Sequence, residues 1–295
     1  MPTNNYFWLD TADKQRVLLQ AAARLGLPPQ AVEKDIWVST ILQIVFTLPF
    51  ADKIIFKGGT SLSKVWHLID RFSEDIDLAV DPAMFDLEGD LTKKQIKRLR
   101  KASSLFVKDV FCHALQDKID FYGISHLCSI EPQPDGVGDN TYPEPRRIFI
   151  RYQSAWTEPL QYLPPSVMLE IGARSLLEPN EKTHIRSMVE DVFPSIRTAL
   201  ADSDVITALA TKTFLEKAFL LHEIFSVAGR ASLAERKSRH LYDLWRMMSQ
   251  GLRHDILPPC ERHRPFVLKK GNEPIMCLRR LSVALRHVVR GFQSH

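Results

Sequence analysis

Apolar residues recur at helical spacing along the first stretches of the chain. Val17, Leu18, Ala21, Ala22 and Leu25 share one side of a predicted helix that Thr11 can cap and that Gly26-Leu27-Pro28-Pro29 ends. A second predicted helix starts near Pro29, a residue suited to a first helical turn, and carries Val32, Ile36, Trp37, Ile41, Ile44 and Val45 on its apolar positions. Both read as packing elements. Ile54-Ile55-Phe56 is a short β-prone run that stops at Gly58-Gly59, after which Thr60 or Ser61 can cap a helix reaching Leu68 and Ile69. From Asp75 to Val80, acidic and apolar residues alternate until Pro82, the pattern of a half-buried strand.

A long Lys/Arg-rich helix is predicted from Thr92 to about Lys118. Strands are predicted at Ser125–Ile130, Arg147–Tyr152 and Val167–Ile171, with a Pro/Gly/Asp-rich loop from Pro132 to Pro145. After about Leu200 the strand signals cease and helical patterns cover 211–228, 233–249 and 275–292. These patterns predict an α+β fold in two lobes. Residues 1–200 would form a lobe built on a mixed sheet with flanking helices, and residues 201–295 a helical lobe with a basic tail.

With 295 residues, 45% of them hydrophobic and 25% charged, the chain can bury a large core. The net charge of +4 is too small to identify a nucleic-acid partner unless the charges cluster. They do. Residues 251–295 hold nine Lys/Arg, including Arg279, Arg280, Arg286 and Arg290, against three acidic residues, and a second cluster begins at Lys93 and Lys94 and continues through Lys97, Arg98, Arg100 and Lys101. Two basic patches would suit an RNA backbone, although a charge run is also how a solvated face reads.

The four cysteines are widely spaced, without CxxC pairs or histidines at zinc-finger spacing, as expected of a reduced chain. No basic-then-apolar leader opens the sequence. The most apolar stretch, Ile41 to Phe50, is interrupted by Gln43, Thr47 and Pro49 and is too short to span a bilayer. A soluble, cytoplasmic protein without a membrane partner is expected.

The candidate chemistry lies between residues 57 and 77. In Lys57-Gly58-Gly59-Thr60-Ser61, glycines allow backbone amides to approach phosphate oxygens, the helix start adds its positive dipole end, and Thr60 or Ser61 can offer a hydroxyl. Mg²⁺ commonly takes one or two protein carboxylates and leaves its other positions to substrate phosphates and water. Asp75 and Asp77 meet that demand, because i, i+2 spacing on a strand points both the same way, with Glu74 and Ile76 opposite. Alone, a GG is a turn and a DxD a solvated edge; in this order, one short helix apart, they point together to nucleotidyl transfer from an NTP with Mg²⁺. The GK[ST] ending of a P-loop is absent.

Six segments carry a resemblance to a known family: EKDIWV from Glu33 to Val38, FKGGTSLSK from Phe56 to Lys64, RFSEDIDL from Arg71 to Leu78, LEIGAR from Leu169 to Arg174, TFLEK from Thr213 to Lys217, and RHLYDL from Arg239 to Leu244. Over roughly residues 30–250 the chain resembles the AbiEii/AbiGii bacterial toxins of the DNA polymerase β-like nucleotidyltransferase superfamily. The resemblance implies a polymerase β-like first lobe. It also implies a toxin that transfers NMP to the 3′ acceptor end of tRNA, blocking aminoacylation and arresting growth, and that is paired with an antitoxin encoded nearby.

By the same resemblance Lys217 would contact the triphosphate and Asp243 would orient or deprotonate the acceptor hydroxyl, completing the site from the second lobe. The bland alternatives are a solvated helix face for Lys217 and a surface ion pair with Arg239 or Arg246 for Asp243. Glu170 would be a third metal carboxylate or the partner of Arg174. Lys64 and Arg71 flank the motif, where phosphate contact and surface pairing both explain them. Two further activities stay open: transfer to a protein or small molecule, and nucleotide binding by a catalytically decayed fold.

Overall fold

A computed structural model describes residues 4–157, 162–175, 177–226, 238–250, 267–270 and 273–277. The chain divides into two compact units, one of Met1–Val65 with Phe72–Ala208 and one of Trp66–Arg71 with Leu209–His295.

In the first unit, helix α1 (Thr11–Leu25) is capped by Asp10, whose carboxylate accepts from the Asp13 amide, and ends at Gly26 in the left-handed conformation. Helix α2 (Pro29–Val45) opens on Pro29 at its first turn. Every residue of α2 from Ala31 to Val45 is buried. A helix buried on all sides needs apolar or internally satisfied residues all round, and α2 has both. Trp37 stacks on Tyr152 with ring centroids 4.9 Å apart and meets Phe7 edge-on at 5.1 Å. Truncating Trp37 to alanine would cost about 3–5 kcal/mol.

Strand β1 (Ile54–Lys57) leads directly into helix α3 (Gly58–Lys64), and strand β2 follows at Ile76–Val80. The helix therefore begins at Gly58, not at Thr60, and ends well short of Leu68. Thr92 caps helix α4 (Lys93–Leu105) in a reciprocal capping box with Gln95. The predicted long helix continues through a π-helical stretch, Phe106–Phe111, into α5 (Cys112–Phe121). Strands β3 (Cys128–Pro132), β4 (Arg146–Tyr152) and β5 (Ser166–Gly172) come next. They precede β6 (Asn180–Thr183), helix α6 (Met188–Val192) and β7 (Val205–Ala208).

The seven strands form one mixed sheet in the order β3-β4-β5-β2-β1-β7-β6. The β2–β5 and β1–β7 pairs are parallel and the others antiparallel. Strand alternation divides the two faces. Ile54, Phe56, Ile76, Leu78, Val80, Leu169 and Ile171 join the main core with residues of α1, α2 and α5. Among the described residues, the opposite face carries a small cluster of Ile55, Ala79 and Ala208. Lys57 and Asp77 continue that face by alternation.

The second unit contains helices α7 (Ala210–Ser226) and α8 (Ser238–Ser249) and the antiparallel pair β8 (Val267–Lys270) and β9 (Glu273–Cys277). Strands therefore occur after residue 200, where only helices were expected. The β8 and β9 runs flank Gly271-Asn272, a hairpin signature that the helical periodicity of 275–292 overshadowed. The α+β class and mixed sheet agree with the sequence reading. Among the described residues no helix is long and apolar enough to cross a membrane.

Candidate active site

The β1–α3 turn and the start of β2 meet through one atom-sized constraint. Gly58 has φ +81°, a conformation that side chains disfavour, and an added Cβ would lie 1.9 Å from the Asp77 Oδ2 and 2.9 Å from its Cβ. The Asp77 side chain thus rests against the bare Cα of the first glycine. Lys57 is opposite Asp77 in the β1–β2 register, and Asp77 is opposite Glu170 in β2–β5. Arg147 is opposite Glu170 in β4–β5. A row of Lys57, Asp77, Glu170 and Arg147 therefore crosses four strands on one face, with two carboxylates between two cations. The outer neighbours in this row are opposite charges, and the central pair sets the two carboxylates side by side, an arrangement that a cation would relieve.

Asp75 lies one residue before β2, outside the ladder. Its carbonyl accepts a short hydrogen bond from the buried Thr60 hydroxyl, which also lies 3.0 Å from the Ser73 Oγ. The Ser61 hydroxyl, also buried, donates to the Gly58 carbonyl at 2.9 Å. Both hydroxyls are engaged within the turn: Thr60 ties the glycine helix to the first aspartate, and Ser61 braces the glycine.

Two consecutive residues of α2 hold this arrangement from behind. The buried Lys34 forms an ion pair with the half-buried Glu74, next to Asp75, and its Nζ also donates to the Pro164 carbonyl at 3.2 Å. Asp35 pairs with Lys64 of α3 at 2.7 Å, and its other oxygen accepts from the Met188 amide at 2.7 Å. The Lys64 Nζ donates further to the Arg186 carbonyl at 3.0 Å. The neighbouring Glu33 accepts from the Tyr6 hydroxyl at 3.2 Å, the Ser154 hydroxyl at 2.6 Å and the Ala155 amide at 2.7 Å. Burial pushes the Glu33 carboxyl up from its ordinary value, more than those hydrogen bonds and the charge of Lys14 pull it down. The apolar spacing of α2 predicts a packing helix, and its Glu33–Val38 segment also carries the family resemblance. A charged triplet inside an otherwise apolar helical pattern was the available sign that these side chains meet partners in the interior.

Glu170 pairs with Arg147 at 3.0 Å, not with Arg174. Among the described residues, no group of three or more His, Cys, Asp or Glu side chains is placed to hold a metal ion. What the sequence offers a divalent cation beside this turn is the chemistry of two hard carboxylates, Asp75 and Asp77, the second seated in the space that Gly58 leaves by lacking a side chain. That donor set fits Mg²⁺, which takes its remaining oxygens from substrate and water.

In the second unit, Asp243 of α8 is fully buried and bridges two cations. Arg71 donates through Nε to Oδ1 and through Nη2 to Oδ2, both at 2.7 Å, and the Lys217 Nζ of α7 lies 2.9 Å from Oδ2. Neither Arg239 nor Arg246 is its partner; Arg246 pairs with Asp70 at 2.8 Å. Burial alone would raise the Asp243 carboxyl, but the Arg71 hydrogen bonds and the charges of Lys217 and Arg71 outweigh it and hold the group below its ordinary value. The Lys217 Nζ also lies 3.3 Å from His240 Nδ1. Lys217 and Asp243, twenty-six positions apart in sequence, are thus in direct contact.

Lys93 and Lys94 lie with Lys97, Arg98 and Lys101 on the exposed side of α4. Arg279, Arg280, Arg286 and Arg290 fall outside the described residues.

The family model described as Nucleotidyl transferase AbiEii toxin, Type IV TA system, matches residues 40–283, most of the chain. No curated protein matches it.

Proposed function

The chain belongs to the AbiEii nucleotidyl transferase toxin family of type IV toxin–antitoxin systems, and from that premise we propose that it transfers NMP from an NTP to the 3′ end of tRNA, with Mg²⁺ held by Asp75 and Asp77. Membership makes it a nucleotidyltransferase with a nucleotide substrate and an antitoxin counterpart. The observation that carries the site assignment is the seating of Asp77 against Gly58, because it joins the phosphate-cradling turn to the metal carboxylates within one contact.

In the reaction the acceptor hydroxyl attacks the α-phosphorus, the bond to the bridging α–β oxygen breaks, and pyrophosphate leaves. Bound Mg²⁺ supplies charge neutralisation on the triphosphate and the developing oxyanion. Lys57 and the Gly58–Gly59 backbone bind phosphate oxygens. Thr60, Ser61 and Lys64 keep that turn in place through the bonds described above, and Glu170 stays with Arg147. Lys217 binds the triphosphate as a compact charge. The exposed basic side of α4, from Lys93 and Lys94 to Lys101, supports an RNA acceptor through phosphate contacts, and the same role is assigned to Arg279, Arg280, Arg286 and Arg290.

The test is incubation with each α-³²P-labelled NTP and Mg²⁺, with total tRNA, with periodate-oxidised tRNA lacking a reactive 3′ end, and with protein alone. Label on intact tRNA only is expected. Label on protein alone would reassign the acceptor, and no label under any condition would remove the activity. Charge reversal at Lys93 and Lys94 should weaken tRNA labelling most at moderate salt; labelling indifferent to salt and to those residues would detach α4 from the RNA.

A further inference from the structure

We infer that Arg71 is a further triphosphate-binding residue, and that Asp243 is the anchor that presents Arg71 and Lys217 together, not the base that deprotonates the acceptor. The inference rests on the nucleotidyl-transfer reading and assigns roles within it. Its first support is geometry. The Arg71 fork grips both oxygens of Asp243 at 2.7 Å, and Lys217 takes a second position on Oδ2 at 2.9 Å. A planar guanidinium held through Nε and Nη2 has its orientation fixed, and its Nη1 amine is not part of the fork. The Arg71 side chain is partly exposed while Asp243 is wholly enclosed. The cation, not the carboxylate, is therefore the group a ligand can reach.

Charge is the second support. One carboxylate facing two cations leaves an excess positive charge in a partly dry setting, where an anion gains most. Arg71, Lys217 and, through Lys217, His240 come together on this one carboxylate. A polyphosphate is the natural complement, since Arg matches two phosphate oxygens at once.

The third support is what a general base requires: an accessible lone pair and a proton affinity matched to the working pH. Both Asp243 oxygens already accept charge-assisted hydrogen bonds, and the two cations hold its carboxyl below the ordinary value. The presentation is also built in twice. Asp70 and Arg71, consecutive in the segment Trp66–Arg71, pair with Arg246 and Asp243, one helical turn apart on α8. That segment leads, four residues on, to Asp75.

The test measures binding of ATP, GTP, CTP and UTP with Mg²⁺ by equilibrium dialysis, beside the matching nucleosides, for wild type, Arg71→Gln, Arg71→Lys and Asp243→Asn. Thermal unfolding is recorded for each. For the preferred NTP, Arg71→Gln should weaken binding about 10- to 100-fold, as expected for losing charge-assisted hydrogen bonds. Nucleoside binding should stay unchanged. Arg71→Lys, which keeps the charge and loses the fork, should fall between, so the inference survives even if the glutamine variant unfolds. Asp243→Asn should also weaken NTP binding, raise KM more than it lowers kcat, and leave the acidic limb of the pH–rate profile in place. A folded Arg71→Gln with wild-type NTP affinity overturns the inference. So does an Asp243→Asn that binds NTP normally yet loses transfer together with the acidic limb, since that is the behaviour of a base. If wild type itself binds no NTP, the nucleotidyl-transfer reading fails and this inference with it.

Discussion

Replacing Gly58 by alanine perturbs the site through two separable effects. The first is backbone strain. At φ +81° an L side chain costs about 1–2 kcal/mol. The second is displacement. The new Cβ would lie 1.9 Å from Asp77 Oδ2, against an ordinary contact of about 3.4 Å or more, so the carboxylate must retreat by at least about 1.5 Å. Rotation of the side chain alone does not clear it, because the Asp77 Cβ is itself only 2.9 Å away. A misplacement of about 1 Å in a catalytic group can cost on the order of 10²-fold in rate. Gly58→Ala should therefore lose at least about 100-fold in NMP transfer while remaining folded.

Gly26→Ala is the control. Gly26 has φ +67° with nothing within 4 Å of an added Cβ, so it suffers similar strain without displacing any group. Its melting temperature should fall by a few degrees and its transfer rate should stay at the wild-type level. The assay is single-turnover transfer at saturating NTP, read beside thermal unfolding of both variants. If Gly58→Ala transfers at the wild-type rate, or if Gly26→Ala loses activity equally, the contact between Gly58 and Asp77 is not what makes the glycine necessary.

Thr60→Val removes the hydroxyl that holds the Asp75 carbonyl while keeping the side chain's shape. It should cost about 1–3 kcal/mol in unfolding free energy and lower the transfer rate, whereas equal stability would show the tether to be dispensable. Asp35→Asn strands the buried charge of Lys64 and should lower stability by about 3–5 kcal/mol, whereas Lys34→Met leaves Glu74, which reaches solvent, and should cost less; the double variant should lose less than the sum if the two braces share one frame. Glu33 is held above its ordinary value, so its contribution to stability is present at acid pH and is lost as pH rises through its folded value. Relative to wild type, Glu33→Gln should become progressively more stable as pH rises above the ordinary carboxylate range, and a parallel pair of stability curves would contradict the shift. Asp243 has the opposite sign. Its contribution is full above its ordinary carboxylate value and is lost as pH falls through its lowered folded value, so Asp243→Asn should flatten the acid side of the stability curve.

The sheet was legible where strands alternate or run apolar: Ile54-Ile55-Phe56, Ile76–Val80, Arg147–Tyr152 and Val167–Ile171 all lie in strands. Strand β6 was not legible, because Asn180-Glu181-Lys182-Thr183 is polar throughout, as a sheet edge can be when it needs only its ladder and not a buried face. At the site, the strand–glycine–helix order over Ile54–Lys64 and the place of Asp77 on β2 were readable from local pattern, whereas Asp75 falls one residue outside the strand that alternation assigned it to. The partners of buried charges were not readable, since pairing between positions 35 and 64, or 71 and 243, is set by tertiary packing that periodicity does not encode. Arg147 taking Glu170 in place of Arg174 has the same origin: the two are directly opposite in the β4–β5 register, which no local pattern reveals.

Asp75 and Asp77 are proposed to carry the metal-dependent transfer. This assignment is tested most directly by measuring incorporation of α-³²P-labelled NMP into tRNA by wild type, Asp75→Asn and Asp77→Asn at equal concentration, with melting temperatures recorded for all three. Both variants should remain folded and show no incorporation above the background of wild type in EDTA. A folded Asp77→Asn that labels tRNA at the wild-type rate would contradict the account.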